Sequence, residues 1–175
     1  MNKEFLSWLA GFIDADGCIF ITLRKQTTKN DYLAINAAVS ISQRSDYKWV
    51  LEYIQKQLGS GKIYISGVYG TAYSKAQWQT TKMAETIEVL EKVLPFLVIK
   101  KEQAMKTIQC LKYWINSKEN FGNRSKGLKA RKRADVLNIV DIATHLNSNM
   151  RASTRYRGYK DYNYWKPLIE KWYPE

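Results

Sequence analysis

The sequence predicts an α+β fold in which an antiparallel sheet is covered by helices on one face. Three observations predict it. Apolar periodicity is helical up to Asp16 and switches to a period of two from Ile19. Two pairs of alternating segments follow, each pair joined by a short polar or glycine-bearing turn and therefore read as a hairpin. Each pair is followed by a helical stretch, so the order is helix, two strands, helix, two strands, helix.

The first helix runs into Trp8-Leu9-Ala10-Gly11-Phe12-Ile13-Asp14-Ala15-Asp16-Gly17. Leu9, Phe12 and Ile13 stand at i, i+3 and i+4 and share one face. Gly11 and Ala15, four apart, leave a strip almost without side chains, along which another helix could approach closely. Gly17 reads as a left-handed stop. Asp14 and Asp16 oppose the helix macrodipole by roughly 0.3–1 kcal/mol each, a cost that a divalent cation would offset. A lone Asp-x-Asp-Gly would be an ordinary helix end with a solvated turn.

Ile19, Ile21 and Leu23 then alternate with Phe20, Thr22, Arg24 and Gln26, as in a half-buried strand. Thr27 to Asp31 make the turn, and Leu33, Ile35, Ala37, Val39 and Ile41 alternate with Ala34, Asn36, Ala38, Ser40 and Ser42 in the return strand. Ser45 reads as the N-cap of a helix to Leu58, with Val50, Leu51, Ile54 and Leu58 inward and Gly59 closing it. A second hairpin runs over Lys62–Ser66 and Tyr73–Thr80 across the Gly67–Gly70 turn. In its return strand Ala76 and Trp78 point one way and Lys75, Gln77 and Gln79 the other. Thr81 starts a helix that ends near Leu94, before Pro95.

Beyond it Lys100–Asn116 is predicted helical, with Ala104, Ile108, Leu111 and Ile115 aligned, and Gly122–Gly127 reads as a loop. Val136, Ile139, Val140, Ala143 and Leu146 mark a further helix. Asn147–Tyr162 is polar, aromatic and basic, carrying Arg151, Arg155, Arg157 and Lys160, and interleaved aromatics make it a candidate for phosphate contact. Trp165, Leu168, Ile169 and Trp172 suggest a short terminal helix.

The 175 residues suit one domain, or one domain with a tail. Hydrophobic content of 45% and aromatic content of 13% argue for a folded globule. No run reaches the length of a membrane span, and the N-terminal stretch lacks the layout of a secretory signal. Cys18 and Cys110 form no CxxC and fit a reducing compartment, and the single His145 leaves little for a zinc or histidine-based nuclease site. Twenty-eight basic against 16 acidic residues give +12, which favours an anionic partner, nucleic acid first.

The ten-residue string from Trp8 to Gly17 resembles the signature of the LAGLIDADG family of homing endonucleases and related intron maturases. Leu9, Ala10, Gly11, Ile13, Asp14, Ala15, Asp16 and Gly17 match its letters. The αββαββα order is also that family's, which places the core at about residues 4–115 and a C-terminal helical, basic extension at about 116–175 of a single endonuclease domain. The resemblance implies a four-stranded saddle sheet with helices on one face, plus C-terminal helices. It further implies an intron-homing enzyme that hydrolyses both strands of double-stranded DNA at a long, pseudo-palindromic target and leaves 3′ overhangs. The cofactor implied is Mg²⁺, with Mn²⁺ as a substitute, and no small-molecule cofactor or membrane. The alternative is an RNA-binding maturase without cleavage.

The sequence holds one motif, no second copy and no internal repeat. Family members of this type are symmetric homodimers, and Trp8, Gly11, Phe12 and Ala15 would form the interface. Asp16 would be the catalytic, metal-binding carboxylate, joined by the backbone carbonyl of Ala15. Gln43 matches a glutamine that would order the water network. Lys100 matches the family's lysine, with Lys101 beside it as the other reading. The residue four past Gln43 is Tyr47, a departure that leaves Lys48 or Arg44 to fill the second basic position. The reading surface would be Thr22, Arg24, Gln26, Asn36, Ser40, Ser42, Lys75, Gln77 and Gln79, a set without an acid, with Arg151 and Arg155 on phosphates. The similarity to intron-encoded endonucleases of algal chloroplast ribosomal RNA genes implies an organelle-encoded gene.

Overall fold

The computed structural model describes residues 2–27, 31–67, 74–119, 131–148 and 160–173. In chain order these form α1 (Lys3–Asp16), β1 (Gly17–Thr27), β2 (Asp31–Arg44), α2 (Lys48–Leu58), β3 (Lys62–Ser66), β4 (Lys75–Gln79), α3 (Met83–Val93), α4 (Lys101–Glu119), α5 (Arg133–Ser148) and α6 (Tyr162–Trp172). The strands make one antiparallel sheet in the order β1-β2-β4-β3, so the α+β class and the two hairpins stand as the periodicity predicts. Among the described residues no helix is long and apolar enough to cross a membrane. The Gly122–Gly127 loop, most of Asn147–Tyr162, and with it Arg151, Arg155 and Arg157, lie outside the described residues.

The chain divides into two compact units. The first takes residues 1–20 and 37–108. Its core is one cluster: Leu9, Ala10 and Ile13 from α1, Val39, Ile41, Ala76 and Trp78 from the sheet, Leu51 and Ile54 from α2, and Val89, Leu90 and Val93 from α3. Strand register explains which side chains enter it. Ile41 pairs with Trp78 and Trp78 with Ile63; the next row on that face is Gln43, Ala76 and Ile65, of which only Ala76 is buried, while Gln43 is half-exposed and Ile65 is 46% exposed. A polar threonine pair ties β2 to the start of α3. Thr80 Oγ1 lies 2.8 Å from Thr86 Oγ1 and accepts from the Val39 N–H, while Thr86 Oγ1 donates to the Ala37 carbonyl.

The second unit takes residues 21–36 and 109–175. Val136, Ile139, Val140 and Ala143 of α5 and Trp165, Ile169 and Trp172 of α6 are buried in it. Tyr173 closes this core: its hydroxyl accepts from the Leu33 N–H and its carbonyl from Arg133 Nε. The Lys25 ammonium lies 5.5 Å from the centre of the Trp172 ring.

Local chemistry departs from the sequence reading at three element ends. Gly17 is extended (φ −80°, ψ 161°) and not left-handed. Its glycine is needed for room, because a Cβ there would lie 2.7 Å from the Cα and carbonyl oxygen of Ile13. Ser45 is not a side-chain cap: it is buried, opens a short 3₁₀ turn, and its N–H donates to the Ser74 carbonyl, so α2 begins three residues later. Thr81 sits outside α3 and donates through both its N–H and its hydroxyl to Glu85. Gly59, by contrast, closes α2 in the left-handed region at φ 65°, as read.

The steric demand at residue 17 gives a test. Gly17→Ala should destabilise by about 1–3 kcal/mol, as overpacking against rigid backbone does. That lowers Tm by roughly 2–12 °C for a chain of this size. Scanning calorimetry showing an unchanged Tm would mean that the α1–β1 junction shifts freely.

Candidate functional site

The site is built on the last turn of α1. A helix end leaves carbonyls unpaired and carries partial negative charge. α1 has no basic residue of its own in that turn. Lys100, just before α4, supplies the cation from far along the chain: its Nζ donates to the carbonyls of Ile13 (2.8 Å) and Asp14 (2.5 Å). Gln103, in the first turn of α4, donates to the Ile19 carbonyl at 2.8 Å, so the start of α4 is also tied to β1.

Asp14 faces the opposite way electrically. Its Oδ2 accepts from the Val98 N–H (2.7 Å) and the Ile99 N–H (3.2 Å), and its Oδ1 from the Lys100 N–H (2.8 Å). These amides precede α4, where an anion is favoured. Desolvation alone would raise the Asp14 pKa, but the N–H groups of Val98, Lys100 and Ile99, with the charge of Lys100, hold it below the ordinary carboxylate value. The helix-end cost expected for this acid is therefore met by protein donors and not by a cation. Nothing local in the sequence marks this, because acid and donors are more than 80 positions apart.

Asp16, two residues on, is exposed. Gln43 Nε2 donates to its Oδ2 at 3.2 Å. Gln43 belongs to an inward row of the sheet by register yet is half-exposed, because it lies where β2 reaches the end of α1. Cys18 follows within the same corner; burial pushes its thiol up, and the charge of Lys100 pulls it part of the way back.

The structure thus brings Asp16 to Gln43, and Lys100 to the carbonyls just before Asp16. Lys48 is placed at the start of α2, where its ammonium pairs with Glu52 at 2.7 Å. Arg44 pairs with Asp46 and lies over the Tyr47 ring at 5.9 Å. Among the described residues no three acidic, histidine or cysteine side chains stand together in a metal-binding group. A cation at Asp16 would draw on one carboxylate, the Ala15 carbonyl in the same turn, and oxygens from outside the chain.

The outward strip of α1 is open. Gly11 and Ala15 are exposed, and a Cβ on Gly11 would meet nothing within 4 Å. Trp8 is 44% exposed and lies tilted against Phe12 and edge-on to Tyr53, at 5.4 Å and 6.0 Å between ring centres.

On the outward face of the first unit's strands the register sets Ser42 beside Gln77, and Arg44 beside Lys75. Ser40 pairs with Gln79 but is only 5% exposed, so Ser42, Lys75, Gln77 and Gln79 are the members of that set that reach solvent. The same register adds Lys62, Tyr64 and Ser66 of β3, which the sequence reading left out. The signal was there: Ile63 and Ile65 alternate with Lys62, Tyr64 and Ser66, so those three share the face opposite the isoleucines. In the second unit Arg24 and Asn36 are exposed, and Thr22 and Gln26 half-exposed.

Comparison with known proteins fits this geometry. A family model described as LAGLIDADG endonuclease matches residues 9–107. The DNA endonuclease I-CvuI of Chlorella vulgaris is 33% identical over 124 residues, covering 65% of this chain and 67% of that protein. The DNA endonuclease I-CreI of Chlamydomonas reinhardtii is 24% identical over 119 residues, covering 68% and 69%. A crystal structure of I-CvuI in complex with its target superposes with a TM-score of 0.72 at 22% identity, covering 96% of this chain and 93% of that one. The archaeal intron-encoded homing endonuclease I-Vdi141I complexed with DNA gives 0.72 at 21% identity, covering 98% of each.

The surroundings of Asp14 make stability pH-dependent in a definite direction. Its folded pKa lies below the unfolded value of about 3.9, so its contribution is present above that pH and is lost as pH falls through the folded value. Asp14→Asn should therefore melt below wild type at pH 6, and the gap should narrow as pH falls below about 4 and close once the lower folded value is passed and the wild-type carboxyl is protonated. A gap of constant size down to acid pH would contradict this account of Asp14.

Proposed function

This chain belongs to the LAGLIDADG endonuclease family, and from that premise we propose that it is a site-specific, intron-homing endonuclease that cuts both strands of DNA as a symmetric homodimer with Mg²⁺. The observation that carries the proposal is Asp16: an exposed carboxylate, bonded to Gln43, at the end of a helix whose small-residue strip is open. A self-complementary twofold contact along Gly11 and Ala15, flanked by Trp8 and Phe12, brings two such carboxylates to the axis, one for each strand.

The donor set suits a hard cation, which takes oxygen ligands and keeps several waters. Asp16 and the Ala15 carbonyl would hold it, with DNA phosphates completing the set. When bound, it supplies charge stabilisation at the attacked phosphate and the leaving 3′ oxygen. Gln43 orients the Asp16 carboxylate and the adjoining water. Lys100 holds a positive charge against the end of α1, where negative charge develops on the phosphate. Lys48 could join them only after its exposed pair with Glu52 opens, at a cost of about 0.3–0.5 kcal/mol.

Recognition is assigned to the outward strand positions. In the first unit Gln77 and Gln79 suit adenine edges, Lys75 suits guanine, and Ser42 is tolerant. In the second unit Arg24 suits guanine, Asn36 and Gln26 adenine. The charge of +12 per chain supports affinity for a polyanion. An organellar gene is the proposed setting, supported by relatives from two algae.

The test is cleavage of a randomised duplex library with Mg²⁺, wild type beside Asp16→Asn. Wild type should leave sequence-specific double-strand breaks with 3′ overhangs. The variant should bind the same duplexes and lose several kcal/mol of transition-state stabilisation, about 10³-fold or more in rate. Equal cutting by both proteins, or tight RNA binding with no breaks, would overturn the proposal.

A further inference from the structure

We propose that Asp14 is a positioning residue for cleavage: its carboxylate latches the backbone of Val98–Lys100, which sets the Lys100 ammonium on the carbonyl end of α1, two residues before Asp16. The inference rests on the nuclease reading of Asp16 and Lys100.

The latch is reciprocal. The side chain of residue 14 holds the backbone of residue 100, and the side chain of residue 100 holds the backbone of residues 13 and 14. Each charge lies at the helix end that favours it, the anion before α4 and the cation after α1. Packing cannot do this work. Leu97 is buried, but Val98 and Ile99 are 82% and 77% exposed, so their side chains do little to fix the bend that carries Lys100. Its backbone is instead pinned by Asp14 and by the first α4 hydrogen bond, Ala104 N–H to the Lys100 carbonyl. Both Asp14 oxygens are engaged by amides, which separates its role from that of Asp16. An asparagine would turn its amide nitrogen toward a backbone N–H, setting donor against donor. The core side of α1, Leu9, Ala10 and Ile13, would be untouched.

The test compares Asp14→Asn, Lys100→Met and the double variant, well below their melting temperatures. Hydrogen exchange without DNA should rise at the amides of residues 98–100 in Asp14→Asn. Single-turnover cleavage, which separates chemistry from binding, should slow by roughly ten- to a hundredfold in Asp14→Asn, the range for loss of an orienting partner. DNA affinity should stay within about twofold. The double variant should cut no more slowly than Lys100→Met, because Asp14 acts through Lys100. Independent, multiplying losses, an unchanged cleavage rate in Asp14→Asn, or unchanged exchange would overturn the latch. Wild-type protein that cuts no duplex would refute the nuclease reading instead, and the exchange result, which needs no DNA, would still support or overturn the latch.

Discussion

Two carboxylates stand two residues apart at the negative end of one helix, and the protein gives them opposite surroundings. Asp14 turns to three amides at the start of α4, while Lys100 covers the carbonyls that would repel it. Hydrogen bonds to a charged group contribute about 1.5–3 kcal/mol, against a helix-end penalty of roughly 0.3–1 kcal/mol, so the balance at Asp14 favours a fixed geometry. Asp16 receives Gln43 and otherwise faces solvent. One acid is thus satisfied within the fold, and the other is left open to solvent.

Much of this frame was legible in the chain. The switch from helical to alternating periodicity at Gly17 sets the α1–β1 boundary, and alternation in Lys75–Gln79 predicts which side chains reach the core. What escaped was non-local. The donors to Asp14 lie more than 80 residues away, and exposed Val98 and Ile99 give no apolar signal that their backbone is bound. Gly17 was expected to need a left-handed backbone, yet it is held to glycine by the proximity of Ile13. Ser45 has the chemistry of a cap, but burial beside Ser74 gives it another partner. Lys62, Tyr64 and Ser66 were missed because Lys62–Ser66 is short and its polar positions look like ordinary solvated ones.

On the proposed nuclease reading, the same helix end means that a single chain would offer only half of a double-strand nuclease. One motif gives one exposed carboxylate, and a duplex has two scissile phosphates of opposite polarity. In the proposed homodimer a twofold axis along the open strip of Gly11 and Ala15 would supply the second carboxylate without a second gene segment. Such an axis would also require the target to approximate the same symmetry. In that arrangement α1 would couple interface and active site: its inward face anchors in the core, its outward strip at Gly11 is open, and its last turn carries Asp16.

The most direct measurement uses mixed dimers, one subunit wild type and one Asp16→Asn, isolated through different tags and given a supercoiled plasmid bearing the target. If each subunit's Asp16 serves one strand, the product is nicked circles. Linear DNA from the mixed dimer, or double-strand cutting by protein that sediments as a monomer, would contradict a shared site built from two identical helices.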